Sequence, residues 1–320
     1  MIRIGILGAA WIAPLAVVEP AKTINEITAH AIASRDQKRA AAFAEEHGLA
    51  HAEQSYALLL ARADIDLIYV ALPVSAHRQW AKAALHAGKH VLCEKPLAMN
   101  ADEARDMAAA AHETNKLLIE AFHYRHHPYF NRIQEIVNSG EIGRIQCIYG
   151  RLHVPVKPRE DQIRHDPALG GGALMDLGCY PIHMARTITG EEPLVLEAHA
   201  SIGSTGVDLA IKTTLAFPGG VEAIIDCAMP EAGELEGALI IEGSAGRLTA
   251  SRPILPHHGG VIAIETPDQH REEMTDARST YAYQLEAVAR FIRGEEAPFP
   301  SLEDSIANAS ALDAIRAAAA

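Results

Sequence analysis

The stretch HVLCEKPLA (90–98) carries an acid and a base, Glu94 and Lys95, where an apolar run ends before Pro96. A lysine partly withdrawn from water and close to a cationic ring has a lowered pKa and can take or give a proton. Taken alone, Lys95 reads as a surface lysine paired with Glu94. A second stretch, GGGALMDLGCYPIH (170–183), sets Asp176 and Tyr180 at i and i+4, with His183 at i+7. On an α-helix these three share one face. A phenol there can exchange a proton with an alcohol oxygen, and a carboxylate can orient the phenol or the alcohol. The glycines before them allow close approach of the chain to a ligand. The plainer reading is a helix entered by a glycine turn, with a buried, hydrogen-bonded tyrosine.

A third stretch, GILGAAWIA (5–13), follows an apolar run and opens a helical one. A dinucleotide pyrophosphate needs a tight turn, a close backbone and free N–H groups at a helix start. Gly8 fits the first place of G-x-G-x-x-G/A, Ala10 stands at the second, and Ala13 is acceptable at the third. The motif is degraded, and an ordinary strand-to-helix turn is the competing reading. Further on, ASRDQKR (33–39) supplies Ser34, Arg35 and Arg39. A hydroxyl and planar guanidinium forks suit a 2′-phosphate, so NADP is preferred over NAD. Asp36 is the residue that keeps NAD open; otherwise it caps the next helix.

The elements that would position these groups alternate at first. Apolar strands at IRIGIL, ITAHAIAS, IDLIYVAL, HVLCE and KLLIEAF are separated by amphipathic helices, the first of them interrupted by prolines. That pattern predicts a parallel sheet covered on both faces. After residue 122 it changes to helices at roughly 128–139 and 172–189. Period-two runs follow at VLEAHASIG, DLAIKTTLAF, GVEAIIDCAM and ALIIEGSAGRLTAS, and two helices close the sequence. These predict an antiparallel sheet with one open face, whose outward residues fall among Ile211, Leu215, Ile224 and Ile240. The expected class is α/β: a doubly wound parallel sheet over 1–122, then an α+β domain with a large, mostly antiparallel sheet over 123–320, whose closing helices can pack back on the first domain.

Composition narrows the partners. With 28 basic and 41 acidic residues among 320, the net charge is −13, which repels nucleic acid and anionic membranes. Pro14, Glu19 and Pro20 break the first apolar run, so neither a signal peptide nor a membrane span is expected. Cys93, Cys147, Cys179 and Cys227 form no C-x-x-C pair and read as reduced thiols, which points to the cytoplasm. His123, His126 and His127 cluster in HYRHHPYF without a matching set of further ligands, and His257–His258 looks like a turn, so no metal is expected.

In their order, the first strand and glycine turn, EKPLA, EAFHYRHHP and GGGALMDLGCYPIH resemble the glucose–fructose oxidoreductase, inositol dehydrogenase and rhizopine-catabolism (Gfo/Idh/MocA) family over essentially the whole chain. The resemblance implies a Rossmann domain followed by an open-faced sheet that often makes the dimer contact. It makes Lys95, Asp176 and Tyr180 the catalytic set, with Arg164 joining them at the substrate. It implies cofactor contacts from Gly8, Ala9, Ala10, Trp11, Ile12, Ser34, Arg35, Arg39, Leu72, Pro73, His77, Glu94, Lys95 and Arg125. A tyrosine at 180, where inositol dehydrogenases carry histidine, resembles the dihydrodiol dehydrogenase and xylose 1-dehydrogenase branch. Tyr124 departs from that branch, which usually has a different aromatic, and residues 161–181 are similar also to sugar 3-ketoreductases. The implied activity is NADP-dependent hydride transfer at a hydroxyl or carbonyl carbon of a sugar-like molecule, by a homo-oligomer. A keto-sugar reductase and a catalytically silent NADP-binding regulator are the alternatives.

Overall fold

The computed structural model describes residues 1–157 and 162–320; Asp161, which opens the ketoreductase-like stretch, lies outside them. The chain divides into two compact units, residues 1–123 with 279–306 and residues 124–278 with 307–320.

In the first unit, strands β1 (Ile2–Leu7), β2 (Ile27–Ala33), β3 (His51–Glu53), β4 (Leu67–Val70), β5 (His90–Cys93) and β6 (Leu118–Glu120) form one parallel sheet. Their order is β3-β2-β1-β4-β5-β6. The order reverses between β1 and β4, and the chain leaves those two strands in opposite directions, which opens a crevice at their carboxyl ends. Apolar residues on both faces explain the pairing: Ile4, Ile6, Leu7, Ile68, Tyr69 and Val70 are all fully buried. Each such side chain contributes roughly 1.5–3 kcal/mol. Asp36 and Asn100 cap the helices Gln37–His47 and Ala101–Thr114, which end on left-handed Gly48 and Asn115. The first helical segment is interrupted, as its prolines lead one to expect. Its prolines leave a π-helical turn, Pro14–Val18, and a short α-turn, Glu19–Ala21.

The second unit holds β7 (Ile145–His153), β8 (Leu194–Ile202), β9 (Asp208–Ala216), β10 (Glu222–Ala228), β11 (Glu236–Gly243), β12 (Arg247–Ser251), β13 (Val261–Glu265) and β14 (His270–Met274). They form one sheet in the order β14-β13-β12-β11-β7-β10-β9-β8. Among the described residues only the β7–β10 pairing of this sheet is parallel. Strands β7, β13 and β14 are additions to the sequence reading. Gly150 interrupts the alternation of β7, and it is a glycine because a Cβ there would lie 2.6 Å from Pro181 Cβ. Strand β14 reads HREEM, too polar for a strand signal.

One face of this sheet is covered. Ile148, Leu152, Ile211, Leu215, Ile225, Leu239 and Ile241 are buried, and helix Cys179–Thr189 packs on it at β7 and β10. Ile211 and Leu215 therefore leave the set of outward candidates. On the opposite face Tyr149, 38% exposed, sits in register between Ile224 and Ile240. Charged pairs border this apolar row, with Asp226 taken by Arg151 and His153.

Burial holds the imidazoles of His77, His127 and His257 below their ordinary range; for His257, with His258 and His127 adding repulsion, the value is about 4. In the unfolded chain each titrates near 6.5. Between those values the unfolded state binds more protons, so stability is complete above about pH 6.5 and declines as the pH falls toward 4. Thermal melts from pH 7.5 to 4.5 should show Tm falling through this window. His257→Gln should make the fall shallower; an unchanged slope would remove His257 from the account.

Candidate active site

The turn after β1 is built around a missing side chain. Gly8 has φ of +103°, and a Cβ on it would lie 2.5 Å from the Ala71 carbonyl oxygen. Its N–H donates to Ala33 O (2.9 Å). Ala9, Ala10 and Ile12 are half-buried, and Trp11 is exposed. A backbone with no room for a Cβ is what a pyrophosphate needs to approach closely, so these residues fit a dinucleotide.

At the end of β2, Ser34 is buried and Arg35 is exposed. The Asp36 carboxylate accepts the Lys38 N–H (2.8 Å) as an N-cap. Arg39 Nη2 donates to Ala9 O (3.1 Å), joining the β2 end to the glycine turn. Tyr56 lies close enough to Arg35 and Arg39 for their charges to pull its phenol pKa down, though burial has the larger, opposite effect and leaves it raised. The acid at this corner is engaged with a helix end, and two guanidinium groups flank it.

The ends of β4 and β5 are tied together by His77. Its ring is fully buried, with Nε2 2.8 Å from Leu72 O and Nδ1 3.1 Å from Pro96 O. Pro73 caps the helix Val74–His86 that carries it. His77 thus holds Leu72 against the loop containing Lys95, a positioning role within the expected cofactor set. Glu94 accepts a 2.5 Å hydrogen bond from Tyr69, whose phenol is kept protonated by burial and by the Glu94 charge. Beyond Lys95, the Leu97 N–H donates to buried Glu120 (2.8 Å). Half-buried Lys95 is therefore held between two anchored points.

In the second unit, Gly170 and Gly172 have φ of +84° and +117°. Gly172 N–H donates to Arg164 O (3.0 Å), and a Cβ on Gly171 would lie 2.6 Å from that oxygen. The next segment does not start as the α-helix expected over 172–189. Leu174–Gly178 is a π-helical turn containing Asp176, and the α-helix begins at Cys179. Asp176 and Tyr180 therefore do not follow simple i, i+4 stacking. Arg164 Nε pairs with Asp176 Oδ2 at 2.5 Å, bringing two expected substrate residues together. Tyr180 is 7% exposed, its ring edge-on to Tyr124 at 6.1 Å. Tyr124 Oη in turn bonds His183 Nδ1 (2.5 Å). Arg125 donates to Gln134 (3.0 Å) and lies over the Phe130 ring at 5.0 Å. His127 caps helix Pro128–Ser139 through the Tyr129 N–H, and in the first unit His123 Nδ1 bonds Thr280 (2.9 Å).

Sequence reading missed Asp208. Its carboxylate accepts the Leu174 N–H (2.6 Å) and so fixes the start of the turn that carries Asp176 and leads into the Tyr180 helix. Burial raises its pKa, and the Leu174 bond opposes that rise. It lies far along the chain in β9, so no local spacing signals the role.

Residues 2–122 match the model described as oxidoreductase family, NAD-binding Rossmann fold, and residues 130–249 match the GFO/IDH/MocA C-terminal domain. The chain is 34% identical to D-xylose 1-dehydrogenase (NADP(+)) 2 of Haloferax volcanii, over 97% of this chain and 95% of that one. It is 35% identical to dTDP-3,4-didehydro-2,6-dideoxy-alpha-D-glucose 3-reductase of Actinomadura kijaniata, over 99% and 96%. A crystal structure of a 3-ketoreductase from Actinomadura kijaniata with NADP and TDP-benzene superposes with a TM-score of 0.92 at 33% identity, over 99% and 97%.

Gly172 and Gly190 both adopt left-handed backbone, but only at Gly172 would a Cβ strike a side chain, the Asp208 carboxylate. Gly190→Ala should cost about 1–2 kcal/mol, the ordinary left-handed penalty. Gly172→Ala should cost more in chemical denaturation and should also lower kcat, because it displaces the anchor of the turn. Equal losses of stability in the two variants would show that Asp208 does not clamp this turn.

Proposed function

This chain belongs to the Gfo/Idh/MocA oxidoreductase family, and we propose that it is an NADP-dependent enzyme that moves a hydride between nicotinamide and a hydroxyl-bearing or carbonyl carbon of a sugar-like substrate. The observation that carries this reading is the pair of proton-competent groups, Lys95 at the carboxyl end of β5 and Tyr180 in the Asp208-anchored segment, in a chain with dinucleotide topology. In this assignment residues 1–122 bind the cofactor, with 279–306 packed in their unit, and the rest of 123–320 binds substrate and makes the oligomer. No helix among the described residues is long and apolar enough to cross a membrane, and we place the enzyme in the cytoplasm.

Bound at the Gly8 turn, NADP would exchange the hydride; the remaining steps belong to the protein. In oxidation Tyr180 Oη takes the hydroxyl proton, and in reduction it returns it. A free phenol, near 10, is a poor base at neutral pH, and a neighbouring cation would favour the phenolate. Asp176, held by Arg164, orients substrate hydroxyls. Similarity to both a dehydrogenase and a 3-reductase supports either direction of the same chemistry. Turnover of NADP and NADPH with panels of sugars and keto-sugars tests the reading. Absence of turnover across both panels, with NADP still bound, would favour the silent regulator.

Tyr180→Phe should lower the rate by roughly 10² or more and remove the basic limb of the oxidation pH profile, as loss of an acid–base group does. Lys95→Ala should abolish most activity. Neither should change NADP affinity by more than a few-fold, and activity within a few-fold of wild type in Lys95→Ala would leave that lysine a surface residue.

Arg35→Asp should weaken NADP far more than NAD, because a phosphate donor becomes a like charge. Equal losses, read by fluorescence titration of both cofactors, would remove Arg35 from the 2′-phosphate.

The open sheet face supports a homo-oligomer, since an exposed apolar row bordered by charges is a common interface. Light scattering at micromolar concentration should give at least twice the 34.4 kDa chain mass. Tyr149→Lys should shift the protein toward monomer, and a monomeric wild type would end this part of the proposal.

A further inference from the structure

A group of metal-ligating side chains lies in the first unit, outside the residues assigned to cofactor and substrate. His30 on β2, His51 at the start of edge strand β3 and Asp64 in the segment before β4 bring one donor atom each within 4.8 Å of the others. His30 Nε2 already donates to Asp64 Oδ2 at 3.1 Å. That separation is close to the spacing of two ligands bound to one ion through bonds of about 2.0–2.1 Å. The His30 and His51 rings meet edge to face, with centroids 5.0 Å apart.

The surroundings hold these donors in place. Arg62 grips the Asp64 carboxylate through Nε (2.9 Å) and Nη2 (2.7 Å), and its Nη1 reaches Glu53 on β3 (2.7 Å). The Arg62 carbonyl in turn accepts from Lys89 Nζ (2.6 Å). Hydrogen bonds of this kind orient the carboxylate ligands of metal sites. His51 is exposed on a three-residue edge strand and can turn its ring inward at little cost.

We propose that His30, His51 and Asp64 bind a zinc ion, with His30 ligating through Nε2 while its ring proton sits on Nδ1, Asp64 through Oδ2, and His51 as the third ligand. Two imidazoles, one carboxylate and a water suit zinc by donor type and number. The ion would cross-link β2, the short edge strand β3 and the approach to β4. Its effect is on the stability of that sheet edge, independent of hydride transfer.

The test uses the full chain, freed of metal by a chelator and titrated with zinc chloride by calorimetry and by thermal melting. One zinc per chain should bind and raise Tm, as any ligand selective for the folded state does. His51→Ala, at an exposed position, should weaken binding at least tenfold and lose the Tm rise, and Asp64→Asn should do the same. His47→Ala, which removes an imidazole four residues before His51 and outside the trio, should leave both unchanged. Zinc binding that survives both His51→Ala and Asp64→Asn, or no binding by the wild-type chain, overturns the proposal. NADP turnover is unaffected by either result, so failure here leaves the proposed activity standing.

Discussion

The carbonyl oxygen of Ala71 leaves no room for a side chain at residue 8. This follows from the parallel register of β1 and β4, which sets Leu7 beside Val70 and lets the Ala71 N–H reach Leu7 O. Two chains leaving adjacent parallel strands must pass each other closely before they diverge, and only glycine permits it at that distance. The rest of the cofactor half is arranged around that crossing. Arg39 reaches back to Ala9 O, His77 binds the loop after β4 to the loop after β5, and Glu94 is fixed by Tyr69.

A similar device recurs in the second unit. An anionic side chain from one segment accepts a hydrogen bond from another segment and so locks the approach to a residue proposed to react. Asp208 does this for the turn before Tyr180, as Glu120 does for the residues after Lys95. Carboxylate bonds to backbone N–H groups are stronger than neutral ones. They suit this task because reactive groups must be held to within a fraction of an ångström. Neither anchor needs to touch the reacting atoms.

What the sequence made legible was whatever depends on local periodicity or on a motif. Strand IRIGIL, the helices capped by Asp36 and Asn100, and the placement of Lys95 after β5 all have their causes within a few neighbouring residues. The parts that were not legible have distant causes. Gly150 is set by Pro181, the start of the Tyr180 segment by Asp208, and the π-helical turns by packing that no periodicity records. Strand β14 is polar because it is an edge strand, with Glu273 paired to Arg132 and Arg271. The competing roles of Asp36 were open in the sequence, and the helix cap is visible only once the bond to the Lys38 N–H is seen.

The position of β7 bears on how the molecule is made. Its two partners are β10 and β11, and neither β6 nor β8 pairs with it. It ends at His153, whereas β10 and β11 begin at Glu222 and Glu236. On a ribosome, β7 therefore emerges long before either neighbour exists, with both hydrogen-bonding edges open. The hairpin of β8 and β9 can form first, but the sheet's centre must wait for β11, a long-range closure of the kind that slows folding. Until then the nascent chain carries an unpaired strand available to other chains, and that interval is the stage at which it most needs protection from aggregation.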